Sequence, residues 1–175
     1  MVTKKQETIL NRILYNHKDA IQFIHDGQHI FTDGYRIVRL NDVLPEQNYC
    51  NSEEVLKKNK DKIIDNFDKE KKIGNFESKE SVDTVMIPTI QNIKAFIKEN
   101  NYTRWNSKPI KLTIVANEKE IYFNPFYLID CLEVLKIGKE PTTAVVHGSL
   151  KPMYFKSTIG EAILCPCRVK DSWNW

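Results

Sequence analysis

The chain has 175 residues, a formal net charge of +3, 41% hydrophobic residues and 28% charged residues. This length is typical of one domain or two very small ones, and this composition favours a buried core over global disorder. No apolar run approaches the roughly 20 residues that span a bilayer, and the basic N-terminus lacks the apolar segment of a signal peptide. We therefore expect a cytoplasmic protein without a membrane partner. Its mildly basic charge permits contact with nucleic acid but does not require it.

The cysteines do not indicate a metal site. A structural zinc site needs four ligands at short spacing, but the sequence has no Cys-x-x-Cys pair, and no histidine clusters with a cysteine. We therefore expect neither a metal nor another cofactor, and we interpret the cysteines as reduced thiols in the core. The sequence also lacks a glycine-rich phosphate loop, a nucleophile elbow and a zinc-protease motif, so we expect no enzyme. The four cysteines are Cys50, Cys131, Cys165 and Cys167.

Apolar periodicity predicts a helix at the start of the chain, followed by short strands. A stripe that includes Ile9 and Ile13 predicts a helix over Thr3–His17. Asp-Gly dipeptides at 26–27 and 33–34 are turn signals that separate the strands. The predicted strands cover residues 21–24, 29–32 and 35–40.

Residues 46–82 differ in character, because Lys, Glu, Asp and Asn dominate most of them. Their charges are mixed in sign, which is typical of a solvated segment and not of a binding tail. We interpret 46–82 as a polar insertion or linker. Within it we expect a short helix over 53–69 and a solvated loop over 68–80.

Helices and strands alternate again after this segment. A strand over 84–87 precedes a helix over 89–99. Asn124 is a suitable N-cap, and Pro125 a suitable first residue, for a second helix that runs to Lys136. Short turns favour antiparallel sheets with helices packed on one side, which is an α+β fold. The remaining predicted strands cover residues 110–115, 121–123, 143–147, 152–156 and 161–169.

Three motifs carry a resemblance to a known family. The first is FTDGYRI at 31–37, the second is FNPFYLIDCL at 123–132, and the third joins GSLKP at 148–152 to AILCPCRV at 162–169. They are similar to the A-T-D-G-H-R-L, F-N-x-x-Y-L-L-D-A-L, G-P-x-K-P and L-M-P-x-R-x segments of the bacterial DNA sliding clamp, the β subunit of DNA polymerase III. The VMIP segment at 85–88 is a weaker likeness to the V-I-V-P strand of the clamp's middle domain.

This resemblance implies a DNA-clamp-like fold. It assigns a clamp-like N-terminal part to 1–45 and a clamp-like C-terminal part to 83–175, within one compact domain. A clamp subunit has three similar domains and more than twice this length, and its dimer closes a ring. This shorter chain implies a ring only if several copies assemble, so homo-oligomerisation stays open.

The matched segments line, in the clamp family, a cleft that captures short linear peptides of polymerases and repair proteins. The resemblance therefore implies a peptide-binding cleft with an apolar wall and a few polar groups at its rim. Arg36 and Asn124 are the expected hydrogen-bonding groups, and cysteine replaces the methionine that is common in the family. The candidate peptide-binding residues are Thr32, Gly34, Tyr35, Arg36, Ile37, Asn124, Tyr127, Ile163, Cys165, Pro166 and Cys167.

These residues also have structural interpretations. Thr32-Asp33-Gly34 is typical of a β-turn, and Asn124 is accounted for as a helix cap. If 161–169 is one strand, Cys165 and Cys167 face the same side of it, as residues of a core face do.

Basic residues on the predicted helices are candidates for contact with the phosphate backbone of duplex DNA. A solvated helix face is the alternative. Trp105, Trp173 and Trp175 are candidates for stacking on bases or for docking on a partner. The candidate DNA-binding residues are Lys4, Lys5, Arg12, Lys94, Lys98, Lys136 and Lys139.

The sequence thus predicts an accessory protein of DNA replication or repair that binds linear peptides of partner proteins, with duplex DNA as a further candidate partner. One alternative is a phage or mobile-element decoy that occupies clamp-binding proteins without encircling DNA. A plain DNA-binding module is another, and a structural protein that kept only the fold is a third.

Overall fold

The computed structural model describes residues 2–15, 20–42, 53–74, 82–113, 119–148 and 150–168. Cys50, Trp173, Trp175 and the end of the strand predicted over 110–115 lie outside these ranges. The helices are α1 (Lys4–Tyr15), α2 (Glu53–Gly74), α3 (Ile90–Glu99) and α4 (Pro125–Val134). The strands are β1 (Ile21–His25), β2 (Gln28–Thr32), β3 (Arg36–Leu40), β4 (Asp83–Ile87), β5 (Ile110–Thr113), β6 (Glu120–Phe123), β7 (Thr142–Val146), β8 (Met153–Ser157) and β9 (Gly160–Leu164).

One antiparallel sheet joins the two ends of the chain. Its strand order is β1-β2-β3-β9-β8-β7-β4, and β5 and β6 form a separate hairpin. The central pairing is β3 with β9, in which Ile37 lies opposite Ile163. This pairing brings the first and third sequence motifs side by side, and the α+β class with antiparallel sheets is confirmed.

The larger core lies between one face of this sheet and three helices. Alternate residues of β3, Val38 and Leu40, point into it together with Phe31 and Phe155. Helices α1, α3 and α4 close it with apolar faces, and the β5–β6 hairpin adds Phe123. Burial of each large apolar side chain contributes about 1.5–3 kcal/mol, and most of the buried apolar residues in the described ranges lie on this face.

Helix α2 covers the opposite face of the sheet. Phe67 is fully buried there against Tyr154 and Ile163, and the first half of the helix packs on β1 and β2 through Ile63 and Ile64. The sequence predicted that the helices pack on one side of the sheet, and α2 departs from this prediction. Its few apolar residues share one face of the helix, and that face packs on the other side of the sheet. Its contacts also explain why the helix continues to Gly74, where the sequence predicted a loop from residue 68.

Ion pairs fix the second half of α2 to the strands. Arg39 Nη1 lies 3.4 Å from Asp68 Oδ1, and Lys71 Nζ lies 3.5 Å from Glu161 Oε1. The Arg39 guanidinium also lies 5.1 Å from the centre of the Phe67 ring. These contacts cross from the helix to β3 and β9, so the helix and the sheet hold each other in place.

The end of the chain corrects one strand prediction. Strand β9 ends at Leu164, whereas the sequence predicted a strand over 161–169. The amide of Cys165 donates to the Tyr35 carbonyl at 2.8 Å, and that of Cys167 donates to the Tyr122 carbonyl at 2.7 Å. The segment therefore leaves the sheet and crosses towards the β5–β6 hairpin, so the two cysteines are not neighbours on one strand face.

We predict that Gly160→Ala destabilises the sheet strongly. A Cβ at this position would lie 2.3 Å from the Arg39 carbonyl oxygen, which is fixed in the β3–β9 ladder. Such overpacking is expected to lower the free energy of unfolding by about 3 kcal/mol, as measured by urea denaturation. The control is Gly27→Ala, where φ is +72° but no atom lies within 4 Å. It should cost only about 1 kcal/mol, and an equal loss in both variants would contradict this assignment.

Candidate functional site

The turn between β2 and β3 is built by the carboxylate of Asp33. Asp33 Oδ1 accepts the amides of Tyr35 and Arg36 at 3.0 and 3.1 Å. The Thr32 hydroxyl accepts the Gly34 amide at 3.1 Å, and Gly34 takes a φ of +85° that suits glycine. The β-turn interpretation of this motif is therefore correct, and the turn also aims Arg36 inward, where its Nε donates to Asp33 Oδ2 at 3.0 Å.

Asp130 is the acceptor on which three arginines converge. Its carboxylate is fully buried on α4, and Arg36 Nη1 donates to it at 2.7 Å. Arg104 donates through two nitrogens, at 2.8 and 2.9 Å. Arg12 of α1 donates at 3.0 Å. We call Asp33, Asp130 and these three arginines the buried ion network.

The network keeps the Arg36 guanidinium charged. Burial disfavours that charge, but the carboxylates of Asp33 and Asp130 outweigh burial and raise the pKa of Arg36. The guanidinium carbon also lies 4.3 Å from the centre of the Tyr127 ring, and burial raises the pKa of Tyr127. We expected Arg36 to offer hydrogen bonds at the rim of a cleft, but its side chain is fully buried and bonded to protein carboxylates.

A cleft of about 630 Å³ opens beside this turn, between the strand ends and α2. Six of the eleven predicted peptide-binding residues line it, and Pro152 of the third motif joins them. The opposite wall comes from α2, which the sequence had not placed here. We call this space the α2 cleft. Its lining residues are Thr32, Gly34, Arg36, Ile37, Lys58, Asn59, Lys62, Ile63, Asn66, Glu70, Pro152, Ile163 and Cys165.

The other predicted peptide-binding residues lie outside this lining. The rings of Tyr35 and Tyr127 are 5.9 Å apart, and Tyr35 is exposed. Asn124 caps α4, because its side-chain oxygen accepts the amides of Phe126 and Tyr127. Pro166 and Cys167 follow Cys165 along the crossing segment and are half-buried.

A second groove collects four of the candidate DNA-binding residues. Lys5, Lys94, Lys136 and Lys139 line a space of about 810 Å³ between α1, α3 and α4. Glu133 accepts from Lys94 at 2.7 Å and from Lys5 at 3.0 Å. Burial opposes the Glu133 charge, but these two hydrogen bonds outweigh it and lower the pKa of Glu133. We call this space the lysine groove.

The remaining basic candidates lie elsewhere. Lys4 and Lys98 are exposed but outside the lining of the lysine groove, and Arg12 belongs to the buried ion network.

The described cysteines are not activated nucleophiles. Burial raises the pKa of Cys131 to about 12. Burial also raises the pKa of Cys165 and of Cys167. A thiol reacts as its thiolate, so these raised pKa values keep the three groups in the less reactive thiol form at neutral pH.

Within the described ranges, no three His, Cys, Asp or Glu side chains gather in a way that could hold a metal ion. None of the described helices has the length and apolar character needed to cross a membrane.

Comparison with solved structures gives several likenesses, of which two are described here. No family model matches the chain, and no curated protein matches it. The β sliding clamp of C. crescentus aligns at 10% identity with a TM-score of 0.35, over 94% of this chain and 64% of that one. The β subunit from the DNA polymerase of Streptococcus pyogenes aligns at 14% identity with a TM-score of 0.24, over 83% and 44%.

This chain therefore spans less than two thirds of either protein. At these identities and TM-scores the two likenesses support no statement about function. The function proposed below rests on the chain's own motifs and clefts.

Sequence reasoning missed Asp33 and Asp130 as the centre of the ion network, and Arg104 as a partner. One signal was available, because Asp130 is the acidic residue inside an otherwise apolar run, Leu128–Leu132. A carboxylate in a buried helix face needs cationic or hydrogen-bonding partners. The wall formed by α2 had no comparable signal, because its position depends on contacts distant in sequence.

We predict that Asp130→Asn destabilises the fold strongly. The neutral amide would remove the carboxylate that three guanidinium groups share and leave Asp33, which contacts Arg36, as the network's remaining negative charge. Breaking a buried ion pair in this way costs about 3–5 kcal/mol, which urea denaturation would measure. The control is Glu120→Gln, which removes an exposed carboxylate paired with Lys111 and should leave the unfolding midpoint nearly unchanged. Equal midpoints for both variants would contradict the central role of Asp130.

Proposed function

We propose that this protein is a clamp-like accessory factor of DNA replication or repair that captures linear peptides of partner proteins in the α2 cleft. The observation that carries the proposal is that six residues chosen from the motif resemblance line one cleft. They come from two segments more than 100 residues apart in the chain, 32–37 and 163–165. The proposal assigns no catalytic step to the chain.

The cleft has the chemistry that short peptides require. Ile37 and Ile63 are half-buried and supply apolar surface for aliphatic or aromatic anchors. Asn66 is exposed and adds a polar group that can orient a peptide backbone. Because the buried ion network fixes the turn that borders the cleft, the floor is formed before a ligand arrives, and binding pays little ordering entropy.

We predict that a fluorescein-labelled Gln-Leu-Ser-Leu-Phe peptide binds with a micromolar Kd in fluorescence polarisation. Asn66→Trp should weaken binding at least about tenfold, which is about 1.4 kcal/mol, because Asn66 is exposed and a bulky ring there would fill the cleft. Arg36→Ala is a poor test, since it removes the side chain that links Asp33 to Asp130 in the ion network.

The matched control is Asp65→Trp, because Asp65 is the exposed neighbour of Asn66 and does not line the cleft. It should bind the peptide like the unmodified protein. Absence of saturable binding up to millimolar peptide would contradict the proposal, as would equal weakening by both variants.

Duplex DNA is a second candidate ligand, and the lysine groove favours it. Two of its lysines, Lys136 and Lys139, form no ion pair with a described residue, whereas Lys5 and Lys94 share Glu133. The lysine groove lies on the face of the sheet that α1, α3 and α4 cover, and α2 lies on the opposite face. Contact with phosphates through lysines gives affinity that falls steeply with salt concentration.

If this groove binds DNA, Lys136→Gln/Lys139→Gln lowers both the affinity and its salt dependence. Loss of two phosphate contacts should reduce the slope of log K against log salt by about 1.8, measured by anisotropy with a labelled duplex. The control pair is Lys57→Gln/Lys69→Gln, which removes the same charge from exposed positions of α2. Equal slopes for the two double variants would contradict a role for the groove.

A further inference from the structure

The wall that α2 contributes indicates which peptides the cleft prefers. Its lining residues recur at intervals of one, three and four along the helix, so they occupy one helix face. None of them belongs to the motifs that carry the clamp resemblance, so that resemblance does not account for this wall. They are Lys58, Asn59, Lys62, Ile63, Asn66 and Glu70.

The two ammonium groups of this wall have no ion-pair partner among the described residues, whereas its carboxylate is hydrogen-bonded to a histidine. Lys58 and Lys62 are exposed, and neither forms an ion pair with any residue that the structure describes. Glu70 Oε2, in contrast, lies 2.9 Å from the Nε2 of buried His147. The Arg36 charge is met by the carboxylates of the ion network. The cleft therefore carries positive charge where the first half of α2 borders it.

The two ends of the cleft differ in charge because α2 crosses the sheet. Its first half, which carries Lys58 and Lys62, packs on β1 and β2 through residues such as Ile63 and Ile64. Glu70 lies near the β7 end, beside His147. A ligand in the cleft therefore meets two ammonium groups at one end only.

The remaining lining favours a peptide over a nucleic acid. Ile37 and Pro152, which are half-buried, form an apolar floor, whereas single-stranded nucleic acids bind grooves that combine cations with stacking aromatic rings. The lining given by the described residues includes no aromatic side chain.

We propose that the α2 cleft selects peptides that carry Asp or Glu next to their apolar anchors, on one side of those anchors. The inference rests on the proposed function, because it names the partner class of the same cleft. The anchors pack on the isoleucines, and the acidic flank lies beside the ammonium groups of Lys58 and Lys62. Such contacts between exposed charges add a modest, salt-sensitive gain in affinity.

The test compares labelled peptides that share the Gln-Leu-Ser-Leu-Phe core. One carries Asp-Asp at its amino end, one carries Asp-Asp at its carboxyl end, and matched peptides carry Asn-Asn at the same ends. At low salt, one Asp-Asp peptide should bind about fivefold more tightly than its Asn-Asn match. The advantage should shrink at high salt.

Two double variants test which lysines cause the preference for the acidic flank. Lys58→Gln/Lys62→Gln should abolish the preference for the acidic flank, so that the Asp-Asp and Asn-Asn peptides bind this variant with equal affinity. Lys57→Gln/Lys69→Gln, which removes equal charge outside the cleft lining, should retain the preference.

Equal affinities of the acidic and neutral peptides would overturn this inference and leave the proposed function standing. Absence of binding by every peptide would overturn both. Displacement of a bound peptide by an oligonucleotide only while Lys58 and Lys62 are present would overturn the inference in favour of a nucleic-acid ligand.

Discussion

The buried carboxylate of Asp130 is the constraint on which the rest of the structure depends. Asp130 lies on α4. It binds Arg12 of α1, Arg36 next to the turn after β2, and Arg104 in the loop after α3. A buried charge without a partner costs several kcal/mol, so these distant segments are stable only together. Through Arg36 and Asp33 the same network fixes the turn that borders the α2 cleft. Stability and the shape of the cleft therefore have one origin.

The sheet separates two surfaces of different chemistry. On the face that α1, α3 and α4 cover, four lysines line the lysine groove, and Glu133 compensates part of their charge. On its other side, the α2 cleft has an apolar floor between strand ends and a helix. The two surfaces share no lining residue, so the proposed peptide capture and the proposed DNA contact can be tested by separate substitutions.

Local sequence patterns predicted most elements, because helix caps and alternating strands depend on neighbouring residues. Asn124 caps α4 as expected, and Ile37 and Val38 alternate between the two faces of β3. The path of α2 was not predictable in this way. Its burial depends on a few apolar side chains, such as Phe67, that meet strands far away in sequence. Arginine is a residue type that is usually exposed, and only the position of Asp130 explains the burial of Arg36.

The most direct test of the account is an NMR titration of the ¹⁵N-labelled protein with the Gln-Leu-Ser-Leu-Phe peptide. We expect the largest amide shift changes on both walls of the α2 cleft, at Gly34 and Ile37 on one side and Ile63 and Asn66 on the other. Residues of the lysine groove, such as Lys94 and Lys139, should not respond. Shift changes confined to the lysine groove, or no changes at saturating peptide, would contradict the claim that the sheet and α2 together form a peptide site.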